Sequence, residues 1–344
     1  MRILAVLTVR NEGAYLLEWL AHHRAVGFTD FLVFSNDCDD GTDTMLDRLA
    51  DMGQLTHARN PAPHPQGPQW AALKTASTHP LFATADWAMA IDIDEFVNIH
   101  TGAHRIPDLL AALPQATAIP LTWRMFGNAG VIAFTDTPIR HIFTRAAPAI
   151  LHWPWRASLF KTLFKVSGAY TKFGVHRPRG ADKARLKDAH WFDGSGRALP
   201  AAFHASRVMS PLGTDNFHLA QLNHYALGAM QSYLVKCDRG RANRDASAFD
   251  MGYWVERNFS DVEDTSVLKL DAATQPVIDR LKADPILLSC HKNAVIWRHA
   301  RFATLMQDEP WRALFGKLLL TPPSRALSPD QARMIWQQSP QAAV

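Results

Sequence analysis

The 344-residue sequence has only three cysteines, Cys38, Cys237 and Cys290. They lie too far apart for a paired zinc motif, and they are far too few for a disulfide scaffold, so they read as free thiols in a reducing compartment. No apolar run approaches the roughly 18–20 residues that a membrane helix needs. The run Ile3–Val9 is too short for the core of a signal peptide, and Asn11-Glu12 follows it at once. There is no internal repeat and no low-complexity tract. No G-x-G-x-x-G loop follows the first apolar segment and there is no P-loop, which argues against a dinucleotide-binding domain and a P-loop phosphotransferase. The expectation is a cytoplasmic protein without a transmembrane segment, with peripheral contact at the inner membrane face left open.

The chain is 47% hydrophobic and 10% aromatic, enough for a sizeable core. Its net charge of +4 conceals a division. Residues 1–120 carry a net charge of −7, residues 121–245 one of +11, and the remainder is neutral. An acidic first third and a basic middle suit a protein that handles an anion through a cation and basic side chains, and also suit simple surface solvation. The basic residues are scattered through apolar sequence with no nucleic-acid-binding module, so no nucleic-acid partner is expected.

Apolar segments and amphipathic segments alternate over the first hundred residues. Strands are expected at Arg2–Thr8, Phe31–Ser35, Leu55–His57 and Trp87–Ile91, with helices at Ala14–Val26, Asp43–Met52 and Gln69–Ser77. In the first helix Leu16, Trp19, Leu20 and His23 fall on one face, and Gly27 stands where a helix end favours positive φ. This order predicts an α/β fold with a mainly parallel sheet covered on both faces. Ligands of such sheets bind at the carboxyl ends of the strands. Those ends carry Glu12, then Asn36, Asp37, Asp39 and Asp40, then Asp92 and Asp94.

Asp92-Ile93-Asp94 is the sharpest of these features. In an extended segment residues i and i+2 point the same way, and two like charges at a buried strand end repel unless a cation lies between them. Carboxylate oxygens suit Mn2+ or Mg2+, and such ions keep positions open for substrate phosphates. On this reading Asp94 and Asp92 hold a divalent ion.

Three segments, Thr8-Val9-Arg10-Asn11-Glu12, Asn36 to Thr42 and Asp92-Ile93-Asp94, resemble the nucleotide-sugar half of family-2-type glycosyltransferases with the GT-A fold. The form IDIDEFV at Ile91–Val97 is closer to the bacterial glycosyltransferases related to family 92. Phe126-Gly127-Asn128, Gly174 to Pro178, Asn223-His224-Tyr225 and Lys236 to Gly240 extend this narrower resemblance. The resemblance covers about residues 2–265. It implies a GT-A type α/β fold with a helical C-terminal part. It also implies transfer of a sugar from a nucleotide-diphosphate donor, UDP-linked among the candidates, to a glycan, lipid-linked or other hydroxyl acceptor. It places Glu12 and Asn36 or Asp37 near base and ribose, Asp40 beneath their loop, Asp92 at the ribose or a metal-bound water, and Asp94 on the metal. The Gln-x-x-Arg-Trp element of family-2 enzymes is missing, and the His-Tyr and Lys-x-x-Arg-Gly elements stand in its place.

Lys236 and Arg239 share a face of an expected helix, Gln231–Arg241, and are candidates for gripping the leaving diphosphate. His176 and His224 sit in polar elements of the basic region. His224 is either a metal ligand or a buried hydrogen-bonding residue, and His176 is a weaker candidate at the donor. His100 and His104 lack the partners of a zinc site and read as loop residues. An inverting transfer needs a base, for which Asp215 is the candidate. Asp264 reads as a helix cap. Trp123, Trp153, Trp155 and Trp191 either stack on a sugar or fill the core.

Three regions are expected: nucleotide-sugar binding over 1–120, acceptor and diphosphate binding over 121–265, and a helical subdomain with a Pro-containing tail over 266–344. A nucleotidyltransferase of the same α/β class would carry a Gly-rich, basic loop after the first strand, where Arg10-Asn11-Glu12-Gly13 stands. A non-catalytic carbohydrate-binding protein would have no reason to keep both Asp92 and Asp94.

Overall fold

The computed structural model describes residues 1–240 and 250–338. Its strands are β1 Ile3–Val9, β2 Asp30–Ser35, β3 Thr56–Arg59, β4 Trp87–Ala90, β5 Glu95–Ile99 and β6 Ala118–Met125. They continue with β7 Arg145–Ala146, β8 Phe160–Lys165, β9 Tyr170–Lys172, β10 Arg179–Ala181, β11 Ala220–His224 and β12 Val262–Glu263. The first helices are α1 Gly13–Val26, α2 Thr42–Asp51, α3 Pro68–Ala76, α4 Pro80–Thr84, α5 Ile106–Ala112, α6 Ile139–Ile142 and α7 Ala202–Ala205. The C-terminal part adds α8 Met230–Arg239, α9 Met251–Val255, α10 Asp271–Lys282, α11 Pro285–Leu305, α12 Glu309–Leu320 and α13 Pro329–Gln337. The expected helix Gln231–Arg241 is thus α8, and Arg241 lies outside the described residues, as does Pro340 of the tail.

Eight strands form one sheet in the order β3-β2-β1-β4-β8-β6-β11-β5. The first four are parallel to one another, as are β6 and β11. The strand β8 runs antiparallel to β4 and β6, and β5 antiparallel to β11. The mixed α/β fold with its mainly parallel sheet therefore matches the expectation. The antiparallel strands all come after residue 90, where alternation with helices ends and strand direction is no longer legible from element order. In the order of the sheet β4 and β5 stand four spacings apart, about 19 Å if the sheet were flat. Only Ile91–Asp94 joins them in sequence, and these residues form a turn rather than an extended span. The sheet must curl to bring its last edge round to the end of β4.

That turn revises one premise. Asp92 and Asp94 do not lie on a strand with a shared face; they occupy a bend whose geometry Glu95 sets, its carboxylate accepting from the Asp92 N–H at 2.8 Å.

Strand β1 is buried along nearly its whole length, as an interior parallel strand should be. Helix α1 ends at Gly27, whose φ of 120° turns the chain so that the Phe28 N–H reaches the His23 carbonyl at 2.9 Å. The helix is not amphipathic in the expected way. Leu17, Glu18, Ala21 and His22 are buried along with the face that meets the sheet, because α10 and α11 cover its outer side. The charge this encloses is matched. Arg140 Nε lies 2.9 Å from Glu18, and Arg140 Nη1 lies 2.6 Å from Asp271.

Burial also keeps His22 and His23 neutral. It pushes the His23 imidazole down to about 3 and that of His22 well below the ordinary value, with Arg140 adding to both shifts. An unfolded histidine takes up a proton below pH ~6.5, while these two do not, so the stability they confer is complete above that value and is lost as pH falls. Denaturant unfolding should show stability declining between pH 6.5 and 4 by about 1.4 kcal/mol per pH unit for each of the two. His23→Gln should remove one proton's worth of that slope, and an unchanged slope would refute the assignment.

The Phe126-Gly127-Asn128 element proves structural. A Cβ on Gly127 would lie 2.3 Å from the Phe259 carbonyl, and the Asn128 amide donates to the Val131 and Gly228 carbonyls at 2.8 and 2.7 Å. Asp264 stands one residue before the N-cap, Thr265, of the short 3-10 helix Ser266–Leu270. It anchors a turn, accepting from the Ser266 N–H at 3.0 Å and from Gln221 at 2.9 Å. His100 and His104 are loop residues, each bound through Nδ1 to a main-chain carbonyl.

Candidate active site

A cleft of about 880 Å³ opens at the carboxyl ends of β1, β2 and β4. Glu12, Asn36, Asp37, Asp92 and Asp94 line it from the first third of the chain. His176, His224, Lys236 and Arg239 line it from the basic middle. Asp40 does not reach the cleft. Its carboxylate accepts from the Gly13 and Thr42 N–H groups at 3.0 and 2.9 Å and ties the two strand-end loops together. Asn36 bridges in the same way, donating to the Val9 carbonyl at 2.8 Å and accepting from Asn60 at 2.6 Å.

Asp94 stands at the meeting of the two halves. Its main-chain carbonyl accepts from the Tyr225 N–H at 2.8 Å, and the β5–β11 ladder pairs Glu95 with His224. This brings Asp94 Oδ2 within 3.7 Å of His224 Nε2 and 2.6 Å of Lys236 Nζ. Burial opposes ionisation of Asp94, but Lys236 and His224 outweigh it and hold the carboxyl well below its usual range. Burial pulls His224 down, with Asp94 opposing. Its other nitrogen, Nδ1, is buried and unpartnered among the described residues. Trp123 packs on the imidazole with ring centres 4.2 Å apart.

Asp92 has different company. Its oxygens accept from Lys161 at 2.8 Å and Gln69 at 2.9 Å. Lys161 enters from β8, is 1% exposed, and stands 3.7 Å from Glu95. Glu95 is fully buried and also accepts from the Trp123 indole at 2.6 Å. The repulsion expected between two adjacent acids is therefore absent, because each of Asp92 and Asp94 faces its own lysine. Arg239 pairs with Glu12 and donates to the Arg10 carbonyl at 2.9 Å. Behind Glu12, Arg298 of α11 lies 3.9 Å away, its guanidinium over the Tyr15 ring.

Asp215 is not at the cleft. It is exposed, and its carboxylate closes a turn by accepting from the Phe217 N–H at 2.9 Å, so it is not placed to take a proton there. His176 lines the cleft but binds the Phe160 carbonyl through Nδ1 at 3.0 Å, and burial pushes it down to about 4. Of the four tryptophans only Trp123 reaches the site. Trp191 is in the core, and Trp153 and Trp155 pack on each other away from the cleft. Lys161, Glu95, Gln69 and Arg298 were missed. Lys161 alone carried a signal, a lysine inside the apolar run Leu159–Phe164.

Could a divalent ion sit here? Asp94, from the bend before β5, and His224, from β11, converge with hard and borderline donors, a two-point grip that leaves further positions for phosphate and water. Asp92, turned to Lys161 and Gln69, does not join them. Among the described residues no group of three or more His, Cys, Asp or Glu side chains gathers into a metal cage.

Glycosyltransferase family 92 matches residues 6–190, more than half of the chain. The chain belongs to glycosyltransferase family 92. A Ricinus communis protein described as a family 92 glycosyltransferase is 26% identical over 98 residues, which are 27% of this chain and 16% of that protein. The family 92 chain thus spans about a sixth of the length of that relative. Among solved structures it is similar to S. aureus TarS 1–349 in complex with UDP, with 14% identity, a TM-score of 0.34, and coverage of 89% of this chain and 92% of that one. It is also similar to the Mycobacterium tuberculosis glucosyl-3-phosphoglycerate synthase in complex with Mn2+, UDP and glucosyl-3-phosphoglycerate. There the identity is 19% and the TM-score 0.25, over 36% of this chain and 44% of that one. Likeness at this level transfers neither a site nor a substrate. Among the described residues of the family 92 chain no helix is long and apolar enough to cross a membrane.

Proposed function

We propose that this protein transfers a glycosyl group from a nucleotide-diphosphate sugar, UDP-linked in the simplest case, to an acceptor hydroxyl on a glycan or lipid-linked glycan. The observation that carries the reading is the convergence of Asp94, His224, Lys236 and Arg239 in one cleft at the strand ends of an α/β sheet. Asn36 and Asp37, on the loop after β2, are the residues for base and ribose. Negative charge builds on the diphosphate as the glycosidic bond breaks, and fixed cations beside it favour the transition state over the ground state. Lys236 and Arg239 supply those cations from one face of α8.

Asp94 and His224 would hold Mn2+ or Mg2+, which when bound supplies positive charge at the same diphosphate. Asp92, locked by Lys161 and Gln69, shapes the ribose side. We read the transfer as a single displacement with inversion. A covalent route needs a carboxylate free to attack, and Asp92 and Asp94 are each held by a lysine. The region after residue 265 supports the site through Arg298.

Titration of UDP into the protein with and without Mn2+ tests this reading. Asp94→Asn keeps the side chain's shape and removes its charge, and should weaken Mn2+-dependent UDP binding at least about tenfold. Binding that ignores both the ion and the substitution would reject the metal assignment. No binding under any condition would reject the donor.

A further inference from the structure

We propose that the β9–β10 hairpin is the acceptor-binding surface of this protein and that the acceptor is an anionic glycan, one bearing carboxylate or phosphate groups along its chain. This rests on the glycosyl-transfer reading above and adds the class of acceptor to it. Between residues 165 and 187 the sequence carries seven Lys and Arg and a single Asp. Six of those cations, Lys165, Lys172, Arg179, Lys183, Arg185 and Lys187, are exposed. Among the described residues none of the six forms an ion pair with a carboxylate.

The ladder itself shows that this charge is not casual. Lys172 and Arg179 are direct partners across the two strands. Like charges placed opposite each other destabilise a strand pair, and an opposite charge at either position would stabilise it. A bound polyanion would turn this unfavourable arrangement into a favourable one.

The hairpin also has an address. Its loop contributes Val175 and His176 to the cleft wall, and the Arg179 guanidinium lies 5.1 Å over the ring of Trp70, which lines the same cleft. A chain drawn to the cations is thereby led toward Asp94 and Lys236. Membrane docking fits less well. An interfacial surface interleaves basic residues with apolar ones that enter the lipid, and no large hydrophobic side chain between residues 165 and 190 is exposed. The hairpin thus serves the acceptor, while the acidic strand ends, joined by Lys236 and Arg239 from elsewhere in the basic middle, serve the donor.

The full-length protein should bind polygalacturonate, a carboxylated glycan, and should not bind neutral dextran. The affinity should fall by about tenfold between 50 and 200 mM salt. Two variants test the surface. The triple change Lys183→Glu, Arg185→Glu, Lys187→Glu should weaken polygalacturonate binding at least about tenfold while UDP binding in the presence of Mn2+ stays unchanged. Lys172→Glu should weaken polygalacturonate binding and at the same time raise the unfolding midpoint, because it creates an opposite-charge pair with Arg179. A merely structural hairpin would give the second effect without the first. Equal binding of dextran, unchanged binding in both variants, or retention only on anionic phospholipid vesicles would each overturn the acceptor assignment. UDP binding is read in parallel, and its absence from the wild-type protein would instead strike the glycosyl-transfer reading.

Discussion

Lys236→Met is expected to reduce turnover about 100- to 1000-fold and to lower stability by about 2–4 kcal/mol. The two losses have different causes. Lys236 lies 2.6 Å from Asp94 and also donates to the Ala226 carbonyl at 2.6 Å, and its side chain is only 12% exposed. Burial disfavours its charge, but Asp94 more than restores it, so the pair is ionised on both sides. Taking away the ammonium leaves a buried carboxylate with only His224 nearby, the costly half of a broken ion pair. On the proposed function, turnover falls because the fixed cation beside the departing diphosphate has gone. The double variant Asp94→Asn with Lys236→Met separates the two. Its stability should return to within about 1 kcal/mol of the wild type, since no charge is then left alone. Its turnover should stay at least about 100-fold down. Denaturant unfolding and steady-state kinetics on all three variants make the comparison. Recovery of turnover in the double variant would mean that neither Asp94 nor Lys236 acts at the diphosphate, and that the single change had only left the Asp94 charge unbalanced.

The second large effect belongs to Lys161. It is the most deeply enclosed cation of the site and faces both Asp92 and Glu95. Burial works against its charge, and the attraction of Asp92 and then Glu95 outweighs it. Lys161→Met should cost about 2–4 kcal/mol, the range reflecting that Asp92 is a third open to solvent while Glu95 is sealed.

The deficit should depend on pH with a definite sign. Burial already pushes the Glu95 carboxyl up, Asp92 and Asp94 push it further, and Lys161 is the main group holding it down. Without Lys161 it rises further. A carboxyl whose folded value lies above its unfolded value favours folding at low pH and loses that contribution as pH rises past about 4.3. The variant should therefore run parallel to the wild type from pH 5 to about 8, where the wild-type Glu95 begins to ionise, and fall increasingly below it between pH 8 and about 10. Unfolding midpoints of both proteins across that range provide the check. A gap that widens in acid would show that Lys161 does not balance these carboxylates.

Much of this site was legible before any coordinates. The strand–helix alternation of the first ninety residues located Glu12, Asn36, Asp37, Asp92 and Asp94, because parallel strands deliver their loops to one edge. Lys236, Arg239, His176 and His224 could be singled out only through the family resemblance and the charge division. The sequence could not tell which carboxylate meets which cation. Lys161 reaches Asp92 from a strand 69 residues away, and Arg298 approaches Glu12 from a helix almost at the other end of the chain. Such pairings depend on strand order, which local pattern does not encode once alternation with helices stops. Asp215 failed for the same reason: its loop folds onto Ser195 and Arg197 and away from the cleft.

The ladder between β5 and β11 sets the spacing of Asp94 and His224 in whole steps. Glu95 is paired with His224, and Asp94 is fastened to the next residue, Tyr225. In an antiparallel pair a shift by one residue turns every side chain to the opposite face. The separation of these two side chains therefore cannot drift by tenths of an ångström as the surrounding loops change. It is either kept or lost outright. Changes at the rim of the cleft therefore leave the placement of Asp94 against His224 intact.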